Sequence, residues 1–233
     1  MDIKNNIIAH RGIFNNIDIP ENSMKAFEKA IEHSYSFELD VQLTKDDVLV
    51  VFHDFDLKRM TGISKKLCDC TYDELLNYSL LNTDEKIPTL KQVLELNNDK
   101  VLIDIEIKNT RKITSICEKI YNELEAYHNF VLKSFNPLIV RYLKKHYSNW
   151  KVGYLISKKY DKKSLQMILP SLLMIHYSKA DFLAIHKKLL NTSKFKKLSL
   201  KYPVMVWTIN KQKENPDSRY IGICNNIGVQ KGS

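Results

Sequence analysis

Residues 101–147, VLIDIEIKNTRKITSICEKIYNELEAYHNFVLKSFNPLIVRYLKKHY, carry the pattern that decides the fold. Val101–Lys108 is a short apolar run with alternating polar positions, as a strand needs. Thr110–Tyr127 follows, with Ile113, Ile116, Ile120 and Leu124 in helical phase. Phe130–Ser134 is strand-like again, and Pro137–Tyr147 reads as a second helix opened by proline. Strand, helix, strand, helix means βαβ units on a parallel sheet. The same alternation extends outward on both sides. Upstream lie Ile7–His10 (strand), Asn22–His33 (helix), Ser36–Leu43 (strand) and Thr89–Leu96 (helix). Val48–His53 returns from Ser36–Leu43 as a hairpin arm, with Lys45-Asp46-Asp47 as the turn. Downstream, Val152–Ile156, Phe182–Ile185, Val204–Ile209 and Tyr220–Cys224 are further strands. Leaving out the hairpin arm, eight strands remain, which predicts an α/β fold of the (β/α)8 barrel type. A doubly wound open sheet is the competitor, but neither G-x-G-x-x-G nor G-x-x-x-x-G-K-[ST] occurs.

The bulk properties agree. The chain has 233 residues, 44% hydrophobic and 27% charged, with only 6 Gly and 6 Pro. That is a globular composition, and it excludes disordered and collagen-like classes. No apolar run is long enough to span a bilayer, so no stable membrane insertion is expected. The start of the chain lacks a secretory pattern, and the four cysteines form no metal-binding spacing. Both features predict a cytoplasmic protein with reduced thiols. Net charge is +9, which asks for an anionic partner. The lysine pairs at 158–159, 162–163, 187–188 and 196–197 are dispersed and lack interleaved aromatics. They read as solvated faces, and nucleic acid is not expected as a partner.

Chemistry collects at the ends of the strands, which form the active face of a barrel. Glu38 and Asp40 are two apart on a strand and point to one face. Paired carboxylates there repel one another unless a cation lies between them. Glu106 adds a third oxygen donor, and the set suits a hard divalent ion, Mg²⁺ or Ca²⁺. His10 and His53 end strand-like runs and can divide acid and base roles. Arg11 and Lys108 can neutralise anionic oxygens. Together these residues suit phosphoryl chemistry.

The motifs His10-Arg11-Gly12, Pro20-Glu21-Asn22-Ser23, Glu38-Leu39-Asp40-Val41, Thr44-Lys45-Asp46 and His53-Asp54 with Leu57, Arg59 and Thr61 occur in that order. Ile87-Pro88-Thr89-Leu90, Glu106-Ile107-Lys108, Ser134-Phe135-Asn136-Pro137 and Trp207-Thr208-Ile209-Asn210 come later. This series resembles the glycerophosphodiester phosphodiesterase family over residues 7 to 210. The resemblance implies a single barrel domain over 1–233 with a small insertion at about Asp54–Lys86. It implies hydrolysis of a small glycerophosphodiester to an alcohol and glycerol 3-phosphate. His10 and His53 would be the catalytic pair, and Glu38, Asp40 and Glu106 would hold the metal. Arg11 and Lys108 would contact phosphate, Glu21 and Asn22 would lie near the mouth, and Trp207 would line the pocket. A cyclising attack by the glycerol hydroxyl is an open variant. So is the same barrel acting on a lysophospholipid or on a sugar- or polymer-linked phosphate, or a degenerate barrel that only binds. Ser23 replaces the family's usual Thr. Lys211–Arg219, with Pro216, is short for a helix, and so is the stretch after Cys224. A shortened last unit would expose apolar surface, and a homodimer, or another subunit covering this region, is the expectation that follows.

Overall fold

The computed structural model describes residues 7–157, 172–189, 192, 197–210 and 220–225. Its frame is a ring of eight parallel strands: β1 (Ile7–His10), β2 (Ser36–Leu43), β4 (Ile103–Ile107), β5 (Phe130–Ser134), β6 (Val152–Ile156), β7 (Phe182–His186), β8 (Val204–Ile209) and β9 (Ile221–Cys224). β1 pairs with both β9 and β2, so the sheet closes. Closure removes every edge from the ring. β3 (Leu49–Val51) lies outside the ring, antiparallel to β2, as the hairpin reading requires. Among the described residues, five helices accompany the strands: α1 (Met24–Glu32), α4 (Leu90–Asn97), α5 (Ile113–Leu124), α6 (Pro137–His146) and α7 (Leu172–Ser178). Two one-turn helices, α2 (Lys58–Thr61) and α3 (Tyr72–Leu75), lie between β3 and α4.

Local chemistry explains the helix starts. The Ser23 hydroxyl accepts from the Ala26 N–H, so α1 begins one residue later, at Met24. Thr89 and Gln92 form a reciprocal capping box at α4, and Asn136 caps α6 ahead of Pro137. Each such cap stabilises its helix by about 1 kcal/mol. α5 buries Ile116, Ile120 and Leu124, as its period demands.

The strands sort their side chains by parity. Phe37, Leu39, Val41, Ile103, Ile105 and Ile107 face the helices in the main core. Their alternate partners face the barrel axis. Low in the barrel these are apolar: Ile8, Leu102, Val131, Phe182, Met205 and Ile223 form one cluster. Higher up the same parity presents Glu38, Asp40, Asp104, Glu106 and Lys133, all buried. The segment between β3 and α4 packs its own small cluster of Leu57, Met60, Leu67, Cys70, Leu75 and Leu80 on Val50, Phe52 and Ile87. All four cysteines are free thiols. No helix among the described residues is long and apolar enough to cross a membrane. Lys211–Arg219 and the residues after Asn225, on which the homodimer expectation rested, lie outside the described residues, as do three of the four lysine pairs in whole or in part.

Candidate active site

The loop from β1 into α1 packs closely on the helix that follows it. Gly12 has φ +81°, and a Cβ there would come within 2.8 Å of Ala26. Only glycine allows that approach. Arg11 (φ 59°) and Asn22 (φ 55°) also occupy the left-handed region, which costs a non-glycine residue about 1 kcal/mol. The strain is held by hydrogen bonds. Arg11 N–H donates to Glu38 Oε2 (3.2 Å), and Asn22 N–H donates to the Arg11 carbonyl (3.0 Å).

Parity and register bring the carboxylates together. β1, β2 and β4 are neighbours, with His10 beside Glu38 and Asp40 beside Glu106. Glu38, Asp40 and Glu106 each place an oxygen within 4.8 Å of the others. All three are buried, at 1%, 1% and 7% exposure. Lys108 Nζ reaches Glu106 Oε1 (2.8 Å) and Asp40 Oδ1 (3.2 Å). Burial alone would lower the Lys108 ammonium, but Asp40 and Glu106 raise it above its ordinary value. Burial would raise Asp40, but Lys108 and Arg11 hold it well below the usual carboxylate range. Glu106 goes the other way, raised by burial and by the charges of Asp40 and Glu38.

Beneath this cluster lies a layer that the sequence reading missed. Lys133 from β5 bonds to Asp104 and reaches Glu38 Oε1 at 3.2 Å, with all three side chains sealed from water. Burial pushes Asp104 up to about 6 even beside the ammonium. Burial would lower Lys133, yet Asp104, Glu38 and Glu106 raise it. The available signal was parity, since Lys133 shares the inward face with Val131.

Both histidines are held from behind through Nδ1. His10 Nδ1 bonds to the amide oxygen of Asn225, just past β9, and His10 Nε2 lies 3.8 Å from Glu38 Oε2. Burial sets His10 below its ordinary pKa, against the pull of Glu38. His53 Nδ1 lies 2.6 Å from Asp54 Oδ1. The inward Gln42 of β2 donates to the Phe52 and Asp54 carbonyls (2.8 Å each), which fixes the backbone on either side of His53.

Glu21 and Asn22 sit beneath the mouth, at 5% and 2% exposure. Glu21 receives Arg11 Nη1 (2.6 Å), both terminal nitrogens of Arg59 (2.7 and 3.1 Å) and Asn16 Nδ2 (3.1 Å). Asn22 Nδ2 donates to Asp40 Oδ2 (2.9 Å). Arg11 Nε lies 3.4 Å from Asp40 Oδ2. Trp207 stands at the opposite wall, half-buried, its indole N–H on the Ala184 carbonyl (3.1 Å). Phe135 and His186 meet it edge-on at 5.6 and 4.9 Å.

The donor set fits a hard divalent cation. Among the described residues, Glu21, Glu38, Asp40, Asp54, Asp104 and Glu106 pair with four permanent cations, Arg11, Arg59, Lys108 and Lys133, in two groups of ion pairs joined by the Arg11 N–H on Glu38. With all six ionised, two negative charges would be left over, and burial answers part of that excess by raising Asp104 and Glu106. Asn22 Oδ1, buried beside Asp40, is a further oxygen with no hydrogen-bond partner.

Two imidazoles, two arginines and two lysines thus gather with buried carboxylates at one mouth of the barrel, the face on which enzymes of this fold carry their active sites. Residues 10–230 match the model of the glycerophosphoryl diester phosphodiesterase family. The chain belongs to that family. It is 37% identical over 165 residues to a glycerophosphodiester phosphodiesterase of Caldanaerobacter subterraneus subsp. tengcongensis, covering 66% of this chain and 67% of that one. It is 35% identical over 145 residues to human glycerophosphodiester phosphodiesterase 1, covering 57% of this chain and 43% of the human one. The crystal structure of the Thermotoga maritima glycerophosphodiester phosphodiesterase superposes with a TM-score of 0.73 at 27% identity, over 97% of this chain and 95% of that one.

Proposed function

We propose that the protein hydrolyses a glycerophosphodiester to an alcohol and glycerol 3-phosphate, using His10 and His53 as its acid–base pair and a divalent ion on Glu38, Asp40 and Glu106. One observation carries the reading: two imidazoles, each anchored through Nδ1, flank a buried cluster of three carboxylates. Anchoring at Nδ1 leaves Nε2 of each ring for the substrate. Arg11 and Lys108 attract the phosphate oxygens and hold the diester. One imidazole takes the proton of the attacking hydroxyl, from water or, in a cyclising variant, from the glycerol moiety, whose cyclic phosphate water then opens to the monoester. The other gives a proton to the departing alcohol oxygen. A Mg²⁺ or Ca²⁺ ion held by the three carboxylates would supply positive charge to the phosphoryl oxygens. Trp207 and Phe135 form the wall against which the alcohol rests. On this reading the barrel and its 54–86 insertion act as one unit.

The test is release of glycerol 3-phosphate from glycerophosphocholine and glycerophosphoethanolamine, read by a coupled assay. Activity should vanish with EDTA and return with Mg²⁺ or Ca²⁺. His10→Ala and His53→Ala should each abolish turnover while keeping the wild-type circular dichroism spectrum. Full activity in either variant would overturn the assignment.

A further inference from the structure

The acid–base pair and the phosphate-binding arginine are linked by a side chain that belongs to neither. Arg59 sits on the one-turn helix α2, inside the insertion, and is 44% exposed. Its Nε donates to Asp54 Oδ2 at 2.6 Å. Its Nη2 and Nη1 donate to Glu21 Oε1 and Oε2 at 2.7 and 3.1 Å. Asp54 turns its other oxygen to His53 Nδ1, and Glu21 shares Oε1 with Arg11 Nη1 (2.6 Å). Arg11 in turn lies against Asp40. An unbroken chain therefore runs from His53 through Asp54, Arg59, Glu21 and Arg11 to the carboxylate cluster.

The chemistry of each link gives the chain a direction. Burial would raise Asp54, but Arg59 and His53 hold it below the usual carboxylate range. An ionised carboxylate only accepts hydrogen bonds, so His53 Nδ1 must carry the hydrogen. That leaves Nε2 as the ring's reactive nitrogen. If Asp54 rotated away, the tautomer would no longer be set. Arg59 prevents that rotation by occupying the second Asp54 oxygen. The same guanidinium prevents Glu21 from rotating away from Arg11. Three directed bonds to two carboxylates need a planar fork, which a lysine ammonium cannot supply.

The geometry points to Arg59 as a positioning residue that sets the His53 tautomer through Asp54 and the Arg11 guanidinium through Glu21, coupling the insertion to the reaction. This rests on the phosphodiesterase reading given above for His53 and Arg11. It also assigns the insertion a role in catalysis through its docking on the barrel.

The test uses Arg59→Met, Arg59→Lys, Asp54→Asn and the Arg59→Met/Asp54→Asn double variant, each checked for folding by circular dichroism. Loss of a supporting partner of this kind lowers activity about ten- to a hundred-fold. Arg59→Met and Arg59→Lys should lose that much in kcat, with KM within about two-fold of the parent. In the Asp54→Asn background, Arg59→Met should lose clearly less than it does alone, the remainder being its hold on Arg11 through Glu21. Long-range ¹H–¹⁵N spectra of the histidines should show His53 mainly as the Nδ1–H form in the parent and as a mixture in Arg59→Met. A parental kcat in Arg59→Met, a loss confined to KM, a multiplicative double variant or an unchanged His53 tautomer would each overturn the inference. If the parent turns over no glycerophosphodiester, the functional reading fails, and the His53 tautomer in Arg59→Met still decides the positioning role.

Discussion

Lys133 offers the sharpest test of how the barrel supports its mouth. Among the described residues its ammonium is the one cation paired with Asp104, and it also reaches Glu38 at 3.2 Å. Replacing it with methionine keeps the unbranched stem and removes the charge. Two carboxylates would then remain in a site sealed from solvent. Breaking a buried pair by deleting one partner costs about 3–5 kcal/mol. For a chain of 233 residues, each 1 kcal/mol moves Tm by about 2–4 °C, so Lys133→Met should melt roughly 10 °C lower. Removing the partner as well should restore much of this. Lys133→Met/Asp104→Val replaces the pair with apolar groups, an exchange that is often close to neutral. The double variant should recover at least half of the loss. Glu38 accounts for the remainder, since it too loses its contact. Thermal and urea unfolding in EDTA at pH 8, followed by circular dichroism, gives both numbers. A single variant within about 1 kcal/mol of the parent, or a double variant no better than the single, would refute the reasoning.

Two further perturbations probe the loop between β1 and α1. Burial would raise Glu21, but Arg59 and Arg11 hold it down at about 2, against an ordinary 4.5. Its stabilising contribution is complete above pH 4.5 and is lost as pH falls through about 2, a difference of about 3 kcal/mol. Urea unfolding at pH 6 and pH 3 should therefore show a smaller acid loss in Glu21→Gln than in the parent, and parallel losses would count against the ion-pair account. Gly12→Ala forces a Cβ to 2.8 Å from Ala26 at a positive φ. It should destabilise by about 1–3 kcal/mol and reduce turnover, because Arg11 must shift with the loop; a fully active variant of parental Tm would show that the approach is not required.

Much of the architecture was legible because it rests on short-range periods. Strand limits at Phe130–Ser134, Val152–Ile156 and Val204–Ile209 coincide with the reading from pattern alone. α1 starts two residues later and ends one earlier than its apolar stripe suggested, α5 gives up three residues at each end, α4 is shifted one residue along the chain, and α6 starts at Pro137 as read and ends one residue earlier. Ser23, Thr89 and Asn136 take cap positions, and α5 starts only at Ile113. The carboxylates were legible for the same reason, since a spacing of two on a strand puts Glu38 and Asp40 on one face. Asp104 and Lys133 obey the same parity, but within Ile-Asp-Ile-Glu-Ile and Phe-Val-Leu-Lys-Ser nothing local says that they will meet.

The sequence by itself determined the alternation of strands and helices, the inward parity of the carboxylates and the histidines at strand ends. Each follows from a period of two or 3.6 residues, or from a cap within one turn. Only the tertiary structure decided who holds whom. Asn225 meets His10 across 215 positions, Arg59 meets Glu21 across 38, and Lys133 meets Asp104 across 29. Such pairs arise when the ring closes and the insertion docks. Their partners are selected by the register of distant strands and by the cost of leaving a charge unpaired away from water, and neither is written in any local stretch of the chain.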